Sequence, residues 1–152
     1  MQDAEQWFSE RVPEGWFTGA PTVTVDGDEI LVVGPLPDGT DVRQFREDTR
    51  DARIQLAEEA QRVFGRTVSW GVRTGDSERL FTHLATPVMT RLRIKERGVL
   101  DTLVAAGVAR SRSDALAWCV RLVGQHEAAW LDDLRDALTH VERARTEGPV
   151  AI

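Results

Sequence analysis

Hydrophobic positions along this chain change their spacing several times, and each change marks an element. Trp7, Phe8, Trp16 and Phe17 crowd the first twenty residues. Four large aromatics so close together are costly to leave in water, so residues 1–20 read as an irregular or partly helical lead-in, docked on the body or on a partner subunit. TVTV and EILVV then flank Asp26-Gly27, a dipeptide suited to the φ > 0 positions of a tight hairpin. This pattern predicts strands at 22–25 and 29–34. GPLPDGT breaks the chain, and a helix is expected from Val42 to Phe64. Its inward positions are Phe45, Ala52, Leu56, Ala60 and Val63, its other faces are charged, and Gly65 stops it. Val68, Trp70 and Val72 alternate along Thr67–Arg73 as a half-buried strand. Thr74-Gly75-Asp76-Ser77 is a turn, and Glu78–Leu84 reads as a further strand or a helical turn. The first half is thus a ββαβ layer with one helix on a sheet.

After Pro87 the spacing shortens to two. Leu92 and Ile94 fall on one side of an extended stretch, with Arg91, Arg93 and Lys95 on the other. A helix over Glu96–Ala106 follows, with Leu100, Leu103 and Val104 on one face and Gly107 at its end. Ser111 and Asp114 have the spacing of a capping box, in which each side chain serves the other's backbone N–H. They open a second helix carrying Leu116, Cys119, Val120 and Val123. In the last stretch Trp130, Leu134, Leu138 and Val141 form one stripe, with Leu131 beside it. This long amphipathic helix either continues the preceding one or folds back after Gly124. The expected organisation is an α+β chain: a small domain at 1–86, a strand-helix-helix unit at 87–124, a helix at 125–147, and a tail at 148–152 that frays.

Charge alters the functional picture once it is located. The chain carries 19 basic and 25 acidic residues, a net −6 that taken whole disfavours nucleic acid. The acidity is concentrated in residues 1–86, where 16 acidic groups face 9 basic ones. Between 88 and 113 the balance reverses: Arg91, Arg93, Lys95, Arg97, Arg110 and Arg112 face only Glu96 and Asp101. Arginine outnumbers lysine 18 to 1, which reflects a GC-rich genome more than any site chemistry.

The alternating TRLRI, the helix end LDTLVAAG and the helix start SRSDAL together resemble the ribbon-helix-helix DNA-binding family of phage and methionine repressors. The resemblance covers about a quarter of the chain, residues 88–124. It implies a homodimer whose strands pair antiparallel and enter the major groove. Carried over, Arg91, Arg93 and Lys95 would face base edges. Arg110, Ser111, Arg112 and Ser113, at the start of the second helix, would hold a phosphate. The dimer core would comprise Leu92, Ile94, Leu100, Leu103, Leu116 and Val120. Such a unit needs its partner: one strand and two helices bury too little to offset ordering the backbone at ~1–2 kcal/mol per residue, and a lone strand leaves an open edge.

The function expected is a homodimeric or higher-order transcriptional regulator that binds DNA in the cytoplasm. The alternative is a protein-interaction or antitoxin-like module that uses the same fold only to dimerise, with the N-terminal aromatics as a protein anchor. No apolar run approaches membrane-spanning length, and the acidic start MQDAEQWFSE lacks a signal-peptide layout. No phosphate-binding glycine loop, serine elbow or cysteine pair appears. His83, His126 and His140 do not share ligand spacing. No catalytic residue, metal or cofactor is therefore expected. Arg91 and Arg93 have a blander reading as the solvated face of an edge strand, and Cys119 as a small core residue.

Overall fold

The computed structural model describes residues 3–149. The chain is mixed α+β and divides into two compact units, one up to Val88 and the other from Met89. The first holds α1 (Ala4–Arg11), β1 (Thr22–Val25), β2 (Glu29–Pro35), α2 (Val42–Asp48), α3 (Arg50–Phe64), β3 (Thr67–Thr74) and β4 (Ser77–Leu80). Its four strands lie in the order β1-β2-β3-β4, antiparallel at both edges and parallel at the centre. The parallel pairing of β2 with β3 follows from the intervening helices, which carry the chain back to the same end of the sheet.

The central register builds the core. Ile30 lies opposite Val68, and Val32 opposite Trp70, so four large side chains emerge on one face. Phe8 from α1 and Ala60 from α3 cover them, and all six are at most 8% exposed. Phe8 meets Trp7 and Trp70 edge-on at 4.9 and 5.7 Å between ring centres, and Trp16 meets Trp70 at 6.2 Å. The N-terminal aromatics therefore dock on their own chain. Trp7 and Phe8 are buried in this core, and Trp16 and Phe17 are half-buried beside it.

Five details differ from expectation. The hairpin after β1 uses no positive φ at Gly27. Instead the Asp26 carboxylate accepts the N–H groups of Asp28 and Glu29, at 2.8 and 2.7 Å, and shapes the turn itself. The long helix is interrupted at Thr49, whose hydroxyl donates to the Phe45 carbonyl, a back-bond that bends helices. Arg53, read as part of the charged face, turns inward at the break. Its guanidinium donates to Thr49 Oγ1 and to the Arg46 carbonyl, and stacks 4.8 Å above the Phe81 ring. Near the helix end Val63 is exposed and Phe64 takes the inward position. Finally, β3 is buried on both faces. Ser69 is fully buried, and the Leu80 side chain of β4 lies over Gly71.

Gly34 shows how closely these parts fit. A Cβ there would lie 2.2 Å from the Phe17 ring. Gly34→Ala should therefore destabilise the first unit by roughly 1–3 kcal/mol, the usual range for overpacking. Urea denaturation of the variant checks this, and an unchanged midpoint would contradict the packing described.

The second unit contains α4 (Ile94–Ala105), α5 (Arg112–His126) and α6 (Ala128–Glu147). Gly107, at φ 76°, ends α4 in a Schellman arrangement: Val108 N–H reaches the Leu103 carbonyl and Gly107 N–H the Val104 carbonyl. The chain then turns, burying Ala109, and α5 starts at Ser111, whose hydroxyl accepts from Asp114 N–H. Asp114 in return takes Arg110 N–H rather than that of Ser111, so the expected reciprocal box is shifted by one residue. The α5 helix runs straight through Gly124. The break comes at Glu127, whose N–H closes α5 on the Val123 carbonyl and whose own carbonyl opens α6 by accepting from Leu131. No residue of α6 is buried, so α6 does not fold back to cover its stripe on α5. The tail expected to fray falls partly outside the described residues, at 150–152.

This unit's own core is small. Leu100, Ala109 and Ala115 are buried, with Leu92, Leu103, Val104, Leu116 and Cys119 packed half-buried around them. Of the side chains expected in a dimer core, Ile94 and Val120 are 75% and 65% exposed.

Candidate nucleic-acid interface

The basic segment leads into α4 without regular structure. Residues 82–93 form neither helix nor strand in the single chain. The extended stretch expected through Lys95 is cut short, because α4 begins at Ile94 and takes Ile94 and Lys95 into its first turn. Glu96 fixes that start by accepting the Arg93 N–H, while Arg97 reaches back to the Leu92 carbonyl. Arg93 itself is extended, at φ −79° and ψ 171°. Arg91 and Arg93 are both exposed there, with Leu92 between them turned onto the small core. The alternation thus survives for Arg91, Leu92 and Arg93. Lys95 leaves it and sits exposed on a helix instead.

The second cluster lies at the start of α5. Arg110 is almost fully exposed, its guanidinium 3.7 Å from Asp114. Ser111 is committed to capping, and Ser113 is exposed in the first turn, where backbone N–H groups lack intrahelical acceptors. Arg112 is not free. It makes a two-pronged pair with Asp101 of α4, at 2.8 and 2.9 Å. Asp101 is the residue the sequence pattern missed. It stands eleven positions from Arg112 across a turn, beyond the reach of any helical spacing.

These ion pairs set a pH response. Hydrogen bonding to Arg112 lowers the Asp101 carboxyl below the usual carboxylate range. The Arg110 N–H does the same for Asp114, and the Asp28 and Glu29 N–H groups do so for Asp26. Groups with a depressed folded pKa stabilise fully above the unfolded value of about 4 and lose that contribution as pH falls through the folded one. Stability should therefore hold from neutrality to about pH 4 on their account and decline below it. Thermal unfolding of wild type and Asp101→Asn between pH 7 and 2 checks this. The variant should lose less stability across the acid limb, and parallel curves would contradict the assignment.

Among the described residues, no three His, Cys, Asp or Glu side chains gather as a metal site, and no helix is long and apolar enough to cross a membrane. No solved structure matches the chain. Its sequence is 54% identical over 159 residues to the uncharacterized protein Mb1296 of Mycobacterium bovis and to the uncharacterized protein Rv1265 of Mycobacterium tuberculosis. The match takes in 96% of this chain and 70% of theirs. The model of the Mb1296 C-terminal domain matches residues 93–145, which contain α4, α5 and all but the last two residues of α6. The model of the Rv1265-like N-terminal domain matches residues 2–80, the sheet and its helices. Arg91 and Leu92 lie in the interval between the two. With both domains matched in order and this identity along almost its whole length, the chain belongs to the family of Rv1265-like proteins.

Proposed function

We propose that this protein is a homodimeric, non-enzymatic DNA-binding regulator of the cytoplasm whose second unit acts as a ribbon-helix-helix module. The observation that carries the reading is an incomplete fold next to a basic segment. An irregular segment ending at an extended Arg93 runs into two helices whose shared core holds only three buried residues, and Ile94, Val99, Val120 and Val123 are left exposed. A second copy supplies what is missing. The segments before α4 pair antiparallel across the dimer axis, Leu92 and Ile94 close over the joint core, and Arg91 and Arg93 point outward in duplicate. The first turn of α5 then approaches a phosphate through its backbone N–H groups and positive dipole end. Lys95 and Arg110 contribute charge beside it.

The Asp101–Arg112 pair favours a refinement. In the free protein this arginine is neutralised by its carboxylate partner, and a phosphate must displace Asp101 to engage it. An exposed pair of this kind is screened by solvent and held only weakly, so the exchange is easy. The test is a salt titration of DNA fragments retained from genomic DNA, read by fluorescence anisotropy. Wild type should show a steep loss of affinity with salt. Asp101→Ala, which frees Arg112, should bind a few-fold more tightly on all sequences. Absence of salt-dependent binding, with a stoichiometric protein co-purifying instead, would replace this reading by the protein-interaction module.

A further inference from the structure

The last helix presents an apolar line that nothing in its own unit covers. Trp130, Leu134, Leu138 and Val141 follow one another at steps of four, four and three, and each is 42–59% exposed. Apart from half-buried Leu131, every residue of α6 is exposed. Twenty residues give a rod about 30 Å long, and an isolated helix of this size is only marginally stable in water. A single stripe at this spacing is the seam of a helix that packs along its length against another.

We propose that α6 pairs antiparallel with α6 of a second copy of this chain. Charge decides both the partner and its direction. The first half of the helix, residues 128–137, carries Asp132, Asp133 and Asp136 against Arg135, while the second half balances Glu142 and Glu147 with Arg143 and Arg145. A parallel pair would set the acidic halves side by side, whereas an antiparallel pair sets each against the other's arginines. With the two-fold axis between Ala137 and Leu138, Leu134 faces Val141 of the second copy. Trp130 faces Arg145, whose guanidinium can lie on the indole. Arg135 and Glu142 fall on the same flank of the stripe, and antiparallel helices bring like flanks together. The two residues therefore meet across the interface, and they do so twice by symmetry. This contact is separate from the pairing around Leu92 and stands whether or not the protein meets DNA.

Site-directed disulfide formation in the full chain tests the proposal, with Cys119→Ser removing the native thiol. Leu138→Cys lies beside the proposed axis and should form a covalent dimer under mild oxidation. Trp130→Cys should not, since its copy would sit about 22 Å away along the rod. Adding Leu134→Glu to the Leu138→Cys protein should slow cross-linking roughly tenfold or more, because a leucine contact is lost from both copies. Failure of Leu138→Cys to cross-link, or cross-linking unaffected by Leu134→Glu, would overturn the pairing and leave α6 to a different partner. Ready cross-linking of Trp130→Cys would overturn the antiparallel direction. Genomic DNA binding, measured on the same proteins, reports separately on the basic segment.

Discussion

Phe8→Ala is expected to cost the N-terminal unit about 3–5 kcal/mol, the range for emptying a buried phenylalanine site. The side chain is fully buried, although it comes from an eight-residue helix at the edge of the chain. It closes the face formed by Ile30, Val32, Val68 and Trp70, and its ring meets two tryptophans edge-on. Removing it subtracts the transfer energy of the ring and leaves a void. The neighbours cannot fill that void by relaxing, since the β2–β3 register fixes four of them. Such a loss is a large part of the 5–15 kcal/mol that holds a typical domain together. Phe8→Leu should cost much less, because most of the volume is kept. Urea denaturation followed by tryptophan fluorescence separates the two variants, as Trp7 and Trp70 border the site. A loss for Phe8→Ala below about 1 kcal/mol would mean that α1 is not part of this core.

What the sequence made legible depended on how local the governing interaction was. The strands of the sheet and the helix stops at Gly65 and Gly107 follow from alternation and from glycines at positive φ, and all are visible within a few residues, whereas the turn after β1 rests on the Asp26 carboxylate. Phe8 could be recognised as too large to leave in water, but only the fold identifies Trp70 as its partner. Arg53 misled because periodicity treats every arginine as polar surface. Its burial depends on the Thr49 back-bond and on Phe81, which lies far along the chain. Lys95 misled for the opposite reason. Alternation of side chains continues through Lys95, but the Glu96 carboxylate caps the Arg93 N–H and commits the backbone to helix from Ile94. The same competition between an extended stretch and a helix start explains why the candidate interface was legible as charge but not as register.

Replacing Arg91 and Arg93 together with alanine removes four arginines from the dimer and should lower affinity for the preferred DNA sequence by roughly a thousandfold or more. Each arginine-to-base contact is worth roughly 1–3 kcal/mol of discrimination. Both residues are exposed and neither has a carboxylate partner among the described residues, so they are available without displacing anything. Their loss should be selective. The variant should approach the affinity that wild type shows for unrelated DNA, while much of its salt dependence persists through Lys95 and Arg110. Lys95→Ala should behave differently, since its place on the first turn of α4 suits a phosphate better than a base. It should weaken all sequences about equally and reduce the salt slope by about one. Anisotropy titrations of the three proteins at several salt concentrations distinguish these patterns. If the double variant keeps both the affinity and the sequence preference of wild type, the arginines are an edge strand's solvated face. The duplicated basic segment would then serve to keep neighbouring chains apart rather than to read a groove.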